Sequence, residues 1–252
     1  MLAEALVQVS FAALLIFART GAIIMLMPGI GEGFVPARIR LAFAFLFAIA
    51  MAPILSRVMP AAPEMVGPLA MLVGTEIIIG LIIGIITRFF MMALAVAGQV
   101  IGMQTGLAFA QAVDPTLGQQ GAIAGAFLNI TALTLIFVTN LHHVLLAAIR
   151  NSYEVFPAGA LPAAGDASQW ALGTFAEVFT LGIQMASPLL VFGLVFYLAL
   201  GVLSRLMPQA QIFFIALPSN ILVGFSIFAL VMGAALLAWL DRFEAFVMQM
   251  GG

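Results

Sequence analysis

The sequence predicts an all-α, polytopic membrane protein of long, kinked helices and helical hairpins. Three observations carry that reading. Of 252 residues, 65% are hydrophobic and only 7% charged, with a mean hydropathy of +1.25. A soluble domain carries about 25% charged residues, so this chain lacks the polar groups to cover itself in water. Its apolar residues fall in long runs separated by Gly- and Pro-rich clusters, and one run continues without proline from residue 69 to residue 103. The length allows roughly six or seven spans of about 20 residues and leaves no room for a soluble catalytic domain. The net charge of −2 says little about partners. Every basic residue is an arginine, and the absence of cysteine excludes disulfides, thiolate metal sites and Cys nucleophiles.

The first segment, 5–27, has no basic region before its apolar run and reads as a retained helix rather than a cleaved signal. Arg19 lies well inside it, where a charge costs about 2.5–3.5 kcal/mol on insertion scales. Two readings stand open: an Arg that reaches an interface or backbone carbonyls, or one that faces a cavity or another subunit. The stretch PGIGEGFVPARIR, 28–40, ends this helix and starts the next, with Pro36 suited to a first turn. The apolar run 41–55 is short for a full crossing, as in a buried hairpin arm or a tilted span.

The run 69–103 reads as one continuous helix about 50 Å long at 1.5 Å per residue, against a hydrocarbon core of about 30 Å. Glu76 and Arg88 interrupt it and point about 120° apart at 100° per residue, so they cannot pair with each other. Each needs another partner. Gly80 with Gly84, and Gly98 with Gly102 and Gly106, repeat the small-xxx-small spacing that lets helix backbones approach closely. Gly80, Gly84, Gly98, Gly102, Gly106, Arg19, Glu76 and Arg88 are therefore the candidates for tight packing, including packing against other subunits.

The stretch 106–121, GLAFAQAVDPTLGQQG, is the least comfortable in an apolar setting. Gln111, Asp114, Gln119 and Gln120 ask for hydrogen bonds, and Asp114-Pro115 interrupts a helix. Phe109, Val113 and Leu117 are too apolar for an ordinary solvated loop. Irregular backbone at membrane depth persists only where protein buries it or where it lines a wet cavity, so this stretch is expected to pack beside or across a passage.

Residues 122–148 are expected to form another span, ending in His142 and His143. Adjacent histidines do not chelate one metal in the i, i+4 manner, and hydrogen-bonded or interfacial rings are the plainer reading. The connection 150–168 is the most water-like. Residues 170–203, running through Pro188, and 212–240, kinked at Pro218, read as a closing helical hairpin, and the tail to residue 252 carries charges at helical spacing. Arginine counting gives no orientation, since Arg38, Arg40 and Arg205 balance Arg57, Arg150 and Arg242 across six spans.

No HExxH or GxSxG occurs. Ser187 or Ser226 has no recognisable base, so an enzyme is not expected and no cofactor is implied. A small-solute transporter or channel would explain Arg19, Glu76 and Arg88 as a midplane site, but the sequence has no internal duplication and these charges are not clustered.

Three motifs in order, GIGEGFVPARIRLAFA, IGMQTGLAFAQAVDPTLGQQ and LSRLMPQAQIFFIALPSNILVG, give the whole chain a resemblance to the FliR family of flagellar export proteins, whose virulence-system counterpart is called SctT. The resemblance implies a non-enzymatic subunit of the type III secretion export gate in the bacterial inner membrane, at the flagellar basal body. One copy would assemble with several FliP-type and FliQ-type subunits, and with a FlhB-type switch protein, around a pore for unfolded export substrates; no nucleic acid is involved. It also implies a FliP-like part, 1–166, fused to a FliQ-like hairpin and tail, 167–252. The family's plug loop falls on 106–121, with Phe109, Val113 and Leu117 as candidates for the occluding surface, Asp114, Gln119 and Gln120 fixing its conformation, Pro115 starting a short helix that Asp114 caps, and Gln111 as a further plug candidate.

Overall fold

The computed structural model of the chain describes residues 2–106, 123–208 and 212–251. Among these, seven helices appear in order: α1 (Leu2–Leu26), α2 (Ala37–Leu55), α3 (Val66–Gln104), α4 (Ile123–Val138), α5 (Leu141–Val155), α6 (Ala164–Leu206) and α7 (Ile212–Gly251). The described residues contain no strand. Five helices are long and apolar enough to cross a membrane, or six if α4 and α5 count as one broken span.

The helix ends follow the local chemistry. Pro28 stops α1 two residues past Leu26, because a residue before proline is driven out of the helical region. Pro36 stands just outside α2 as its N-cap, with ψ 137°, rather than in the first turn. α3 is proline-free after Pro68, runs 39 residues and gives way at Gly106, whose φ of +76° favours glycine. At 39, 43 and 40 residues, α3, α6 and α7 are each about 60 Å long, roughly twice the hydrocarbon thickness.

The stretch 122–148, expected as one span, is broken in two. The helix breaks after Val138, and α4 and α5 meet at a 76° bend. Asn140 sits there with φ 60° and ψ 16°, a left-handed conformation that Asn tolerates better than most side chains. Its carbonyl accepts the His143 N–H at 3.0 Å, which starts α5. α5 is then amphipathic: Leu141, Leu145, Ala148, Ile149 and Ser152 are buried on one face, while Arg150 and Glu154 are exposed. Beyond it, α6 begins before residue 170, and α7 continues through the tail as helix. Trp170 near the start of α6 stacks on Phe246 near the end of α7, ring centroids 6.3 Å apart, as a hairpin requires.

By contact the chain forms two compact units, Met1–Phe89 with Ile136–Phe175 and Phe243–Gly252, and Phe90–Leu135 with Ala176–Arg242. In the first, α2 turns a row of small residues (Ala44, Ala48, Ala52) inward. Ala48 and Ala52 share a buried cluster with Phe11, Ala12, Leu15 and Ile16 of α1, closed by Leu55, Met59 and Tyr153. In the second, α3 and α4 cross where Gly98 faces Gly125; a Cβ on Gly98 would collide with the Gly125 backbone. Gly182 of α6 likewise faces the Ala93 backbone, with its added Cβ 2.8 Å from that carbonyl oxygen. Trp239 of α7 is fully buried and donates its indole N–H to the Phe90 carbonyl at 2.8 Å.

Candidate functional site

Two buried polar joints stand out, one in each unit. The first is built on α1, α3 and α5. Arg19 and Glu76 are both fully buried. Arg19 Nε donates to Glu76 Oε2 at 2.7 Å and Nη2 to Oε1 at 3.2 Å, a two-pronged pair. The Gly159 N–H donates to Glu76 Oε1 at 3.0 Å. Arg19 Nη1 donates to the Ser152 carbonyl at 3.1 Å and to its Oγ at 3.3 Å. The guanidinium lies 3.8 Å from the centre of the Tyr153 ring. Each charge therefore has partners on several sides, which is what burying an ion pair requires.

The glycine spacing explains how so short a carboxylate reaches. Gly80 sits one turn after Glu76, and a Cβ there would be 2.5 Å from the Arg19 carbonyl oxygen. At Gly84 the added Cβ would be 2.9 Å from Leu26 Cβ. The bare face of α3 thus lets α1 lie close alongside. Arg19, Glu76, Gly80 and Gly84 are satisfied here by the chain's own helices. Of the readings left open for Arg19, a bond to a backbone carbonyl is found at Ser152, and beside it stands a buried ion pair with a residue 57 positions away.

At the end of α1, Arg88 Nη1 donates to the Leu26 carbonyl at 3.3 Å and approaches Glu32 at 3.8 Å. Arg40 Nη1 donates to the Met25 and Gly31 carbonyls at 3.1 and 3.2 Å. Two arginines from other helices therefore cap the negative end of α1, where cations are favoured. The same GIGEGFVPARIR stretch requires its Gly31, since a Cβ there would be 2.7 Å from the Met27 carbonyl oxygen.

The second joint holds the end of α3. Thr105 is buried, and its N–H and Oγ1 both donate to the Ile101 carbonyl, at 2.9 and 2.8 Å. Thr105 Oγ1 also lies 3.4 Å from the Gly102 carbonyl, and the Gly106 N–H donates to Met103 at 3.4 Å. Asn220 of α7 supplies Nδ2 to the Gln104 carbonyl at 3.1 Å. Gly193 of α6 makes room for the Gln104 side chain, which a Cβ there would strike. Gly224 of α7 makes room for Thr105, whose Cβ would be 3.2 Å from an added Cβ. Gly98, Gly102 and Gly106 all belong to this unit, Gly102 buried and Gly106 facing Asn220.

The plug candidates Phe109, Gln111, Val113, Asp114, Pro115, Leu117, Gln119 and Gln120 lie outside the described residues. Ser187 and Ser226 donate to carbonyls of their own helix, Gln184 and Leu222, both at 2.8 Å. The His142 and His143 rings touch, centroids 4.1 Å apart, with Phe137 5.0 Å from His142. Among the described residues, no group of three His, Cys, Asp or Glu is placed to hold a metal ion. Sequence reasoning missed Ser152, Tyr153, Gly159, Gly193, Asn220 and Gly224. The one signal available was LPSNILVG, where an Asn just past a proline in a greasy helix asks for a partner.

A family model described as "Bacterial export proteins, family 1" matches residues 10–246. The chain is 43% identical over 234 residues, 93% of each chain, to "Flagellar biosynthetic protein FliR" of Caulobacter vibrioides. It is 31% identical to the Bacillus subtilis protein of the same name, over 84% of this chain and 82% of that one. "Yop proteins translocation protein T" of Yersinia pestis is 32% identical over 154 residues, 60% of this chain and 58% of its own.

Proposed function

Because the chain belongs to family 1 of the bacterial export proteins, we propose that it forms and seals part of the protein-conducting pore of the flagellar type III export apparatus. At the coarser level it is a structural subunit of a type III export apparatus, not an enzyme, and assembles with other export components. The finer reading places one copy in a spiral with FliP-type and FliQ-type subunits and beside a FlhB-type switch protein, in the bacterial inner membrane at the flagellar basal body. Residues 1–166 act as the FliP-like part and 167–252 as the FliQ-like hairpin.

In this reading the stretch 106–121 is the stopper. Unfolded substrates need a passage, whereas an energised membrane requires that ions not leak at rest. Phe109, Val113 and Leu117 occlude, and Gln111, Asp114, Pro115, Gln119 and Gln120 fix the shape of the stretch. The similarity to the Caulobacter protein over 93% of both chains carries the reading. The flagellar role is preferred to the virulence one because the Yersinia relative matches only 60% of this chain. Deleting residues 110–119 tests it: ion leak through the assembled complex should rise several-fold, and unchanged conductance removes the stopper. A solitary chain that moves a small solute by itself would instead support a transporter.

A further inference from the structure

α2 differs from the other long helices in what it leaves uncovered. Its inward row is small, Ala44, Ala48 and Ala52, while Ile39, Phe45, Leu46, Ile49 and Ile54 are exposed, Leu46 by 66%. From residue 41 to residue 55 no side chain carries a polar atom. The exposed faces of other helices do carry them, with Thr131 on α4, Thr180 and Ser187 on α6 and Ser226 on α7. Helices that meet in a bilayer use small residues for close approach and polar ones as glue. α2 turns its small row inward and offers no polar group outward.

The ends of this face are marked. α2 begins one residue before Arg38, and Arg57 follows two residues past its last, Leu55. Both arginines are exposed. Neither guanidinium has a hydrogen-bond or ion-pair partner among the described residues, unlike Arg40, which turns back onto the Met25 and Gly31 carbonyls. The apolar run 41–55 by itself is short of a crossing, but the helix is 19 residues long. At 1.5 Å per residue that is about 28 Å, close to the hydrocarbon thickness of about 30 Å. α3, α6 and α7 overshoot that thickness and cannot gauge it.

We propose that the outer face of α2 lies against the acyl chains of a phospholipid bilayer, with Arg38 and Arg57 reaching headgroup phosphates in opposite leaflets and so fixing the depth of the first unit. Phosphates stand at both ends of a bilayer crossing, and a guanidinium can hold one through two N–H donors. Long basic side chains at helix ends reach the interface without pulling their stems from the apolar layer. One arginine at each end also gives no orienting bias. This rests on the membrane location proposed above and not on the stopper.

The test uses the complex of the full chain with its partner subunits, the partners' own cysteines replaced, in bilayers of phosphatidylethanolamine and phosphatidylglycerol. This chain has no cysteine, so nitroxides can be placed singly at Ile39, Ala42, Leu46, Ile49 and Ile54. Collisions with oxygen, which concentrates in acyl chains, and with a water-soluble nickel chelate then report what surrounds each position. The oxygen-to-nickel ratio should peak near residue 47, midway between the arginines, and fall about tenfold by Ile39 and Ile54. Arg38→Gln should move the peak by two or more residues toward the start of α2, and Arg57→Gln should move it toward the end. Few collisions with either reagent would mean that protein covers the face, which overturns the proposal while leaving the membrane location standing. Frequent nickel collisions at all five positions overturn both. A peak that neither substitution moves overturns the anchoring. The labelled chains keep both arginines, so the profile decides the matter even if the arginine variants fail to assemble.

Discussion

Arg19 and Glu76 carry opposite charges where neither has water, so each is tolerated only because the other is present. Removing one partner of a buried pair costs about 3–5 kcal/mol, while replacing both by apolar residues of similar volume is often neutral or better. Arg19→Ala should therefore lower the thermal midpoint of the assembled complex sharply, and Arg19→Met with Glu76→Met should recover most of the loss. Arg19→Lys is not conservative either: the guanidinium spreads donors over Glu76 and Ser152 and lies against Tyr153, which a single ammonium cannot match. The spread of donors at Arg19 gives a physical reason for arginine at that position. The sequence marked Arg19, Glu76 and Arg88 as needing partners, since helix geometry forbade pairing within α3. It could not name the partners, because residues far apart in the chain leave no periodic trace of meeting.

Helix boundaries were legible where proline or glycine supplied the stop, as at Pro28 and Gly106, and at Pro36 to within one residue. The break at Asn140 was not. In a run as apolar as 122–148 a single Asn reads as one more polar member of a span, and nothing local announces a left-handed residue. The repeat Leu141, Leu145, Ala148, Ile149, Ser152 was the available clue, because a one-sided helix does not belong in the middle of a lipid-facing span. A prediction follows for the joint. Asn140→Gly should be neutral or slightly stabilising, whereas Asn140→Val should destabilise by about 1–2 kcal/mol, the cost of a side chain in the left-handed region. Thermal unfolding of the complex reads both. Equal effects would mean that the bend does not depend on that conformation.

At the scale of the whole chain, the second unit joins residues 90–135 to residues 176–242. The end of α3 and residues 176–242 of the closing hairpin are thus one packed body, with Asn220, Gly193 and Trp239 meeting partners from the middle of the chain. Truncation after Ser168 removes nearly all of α6 and the whole of α7, and leaves Gln104 and Phe90 without them. The shortened chain should be lost from the purified complex and secretion should stop; normal assembly would show that the hairpin is dispensable. That body was legible in the sequence as a hairpin but not as a partner of α3, because its contacts depend on glycine gaps and one amide rather than on a run or a period. The Arg19–Glu76 pair also bears on how the protein is made. Its two halves are 57 residues apart, about 3–11 s of synthesis at ordinary translation rates. For that interval the first helix leaves the ribosome with an unanswered cation, so its settled place in the bilayer must wait for the third helix to arrive.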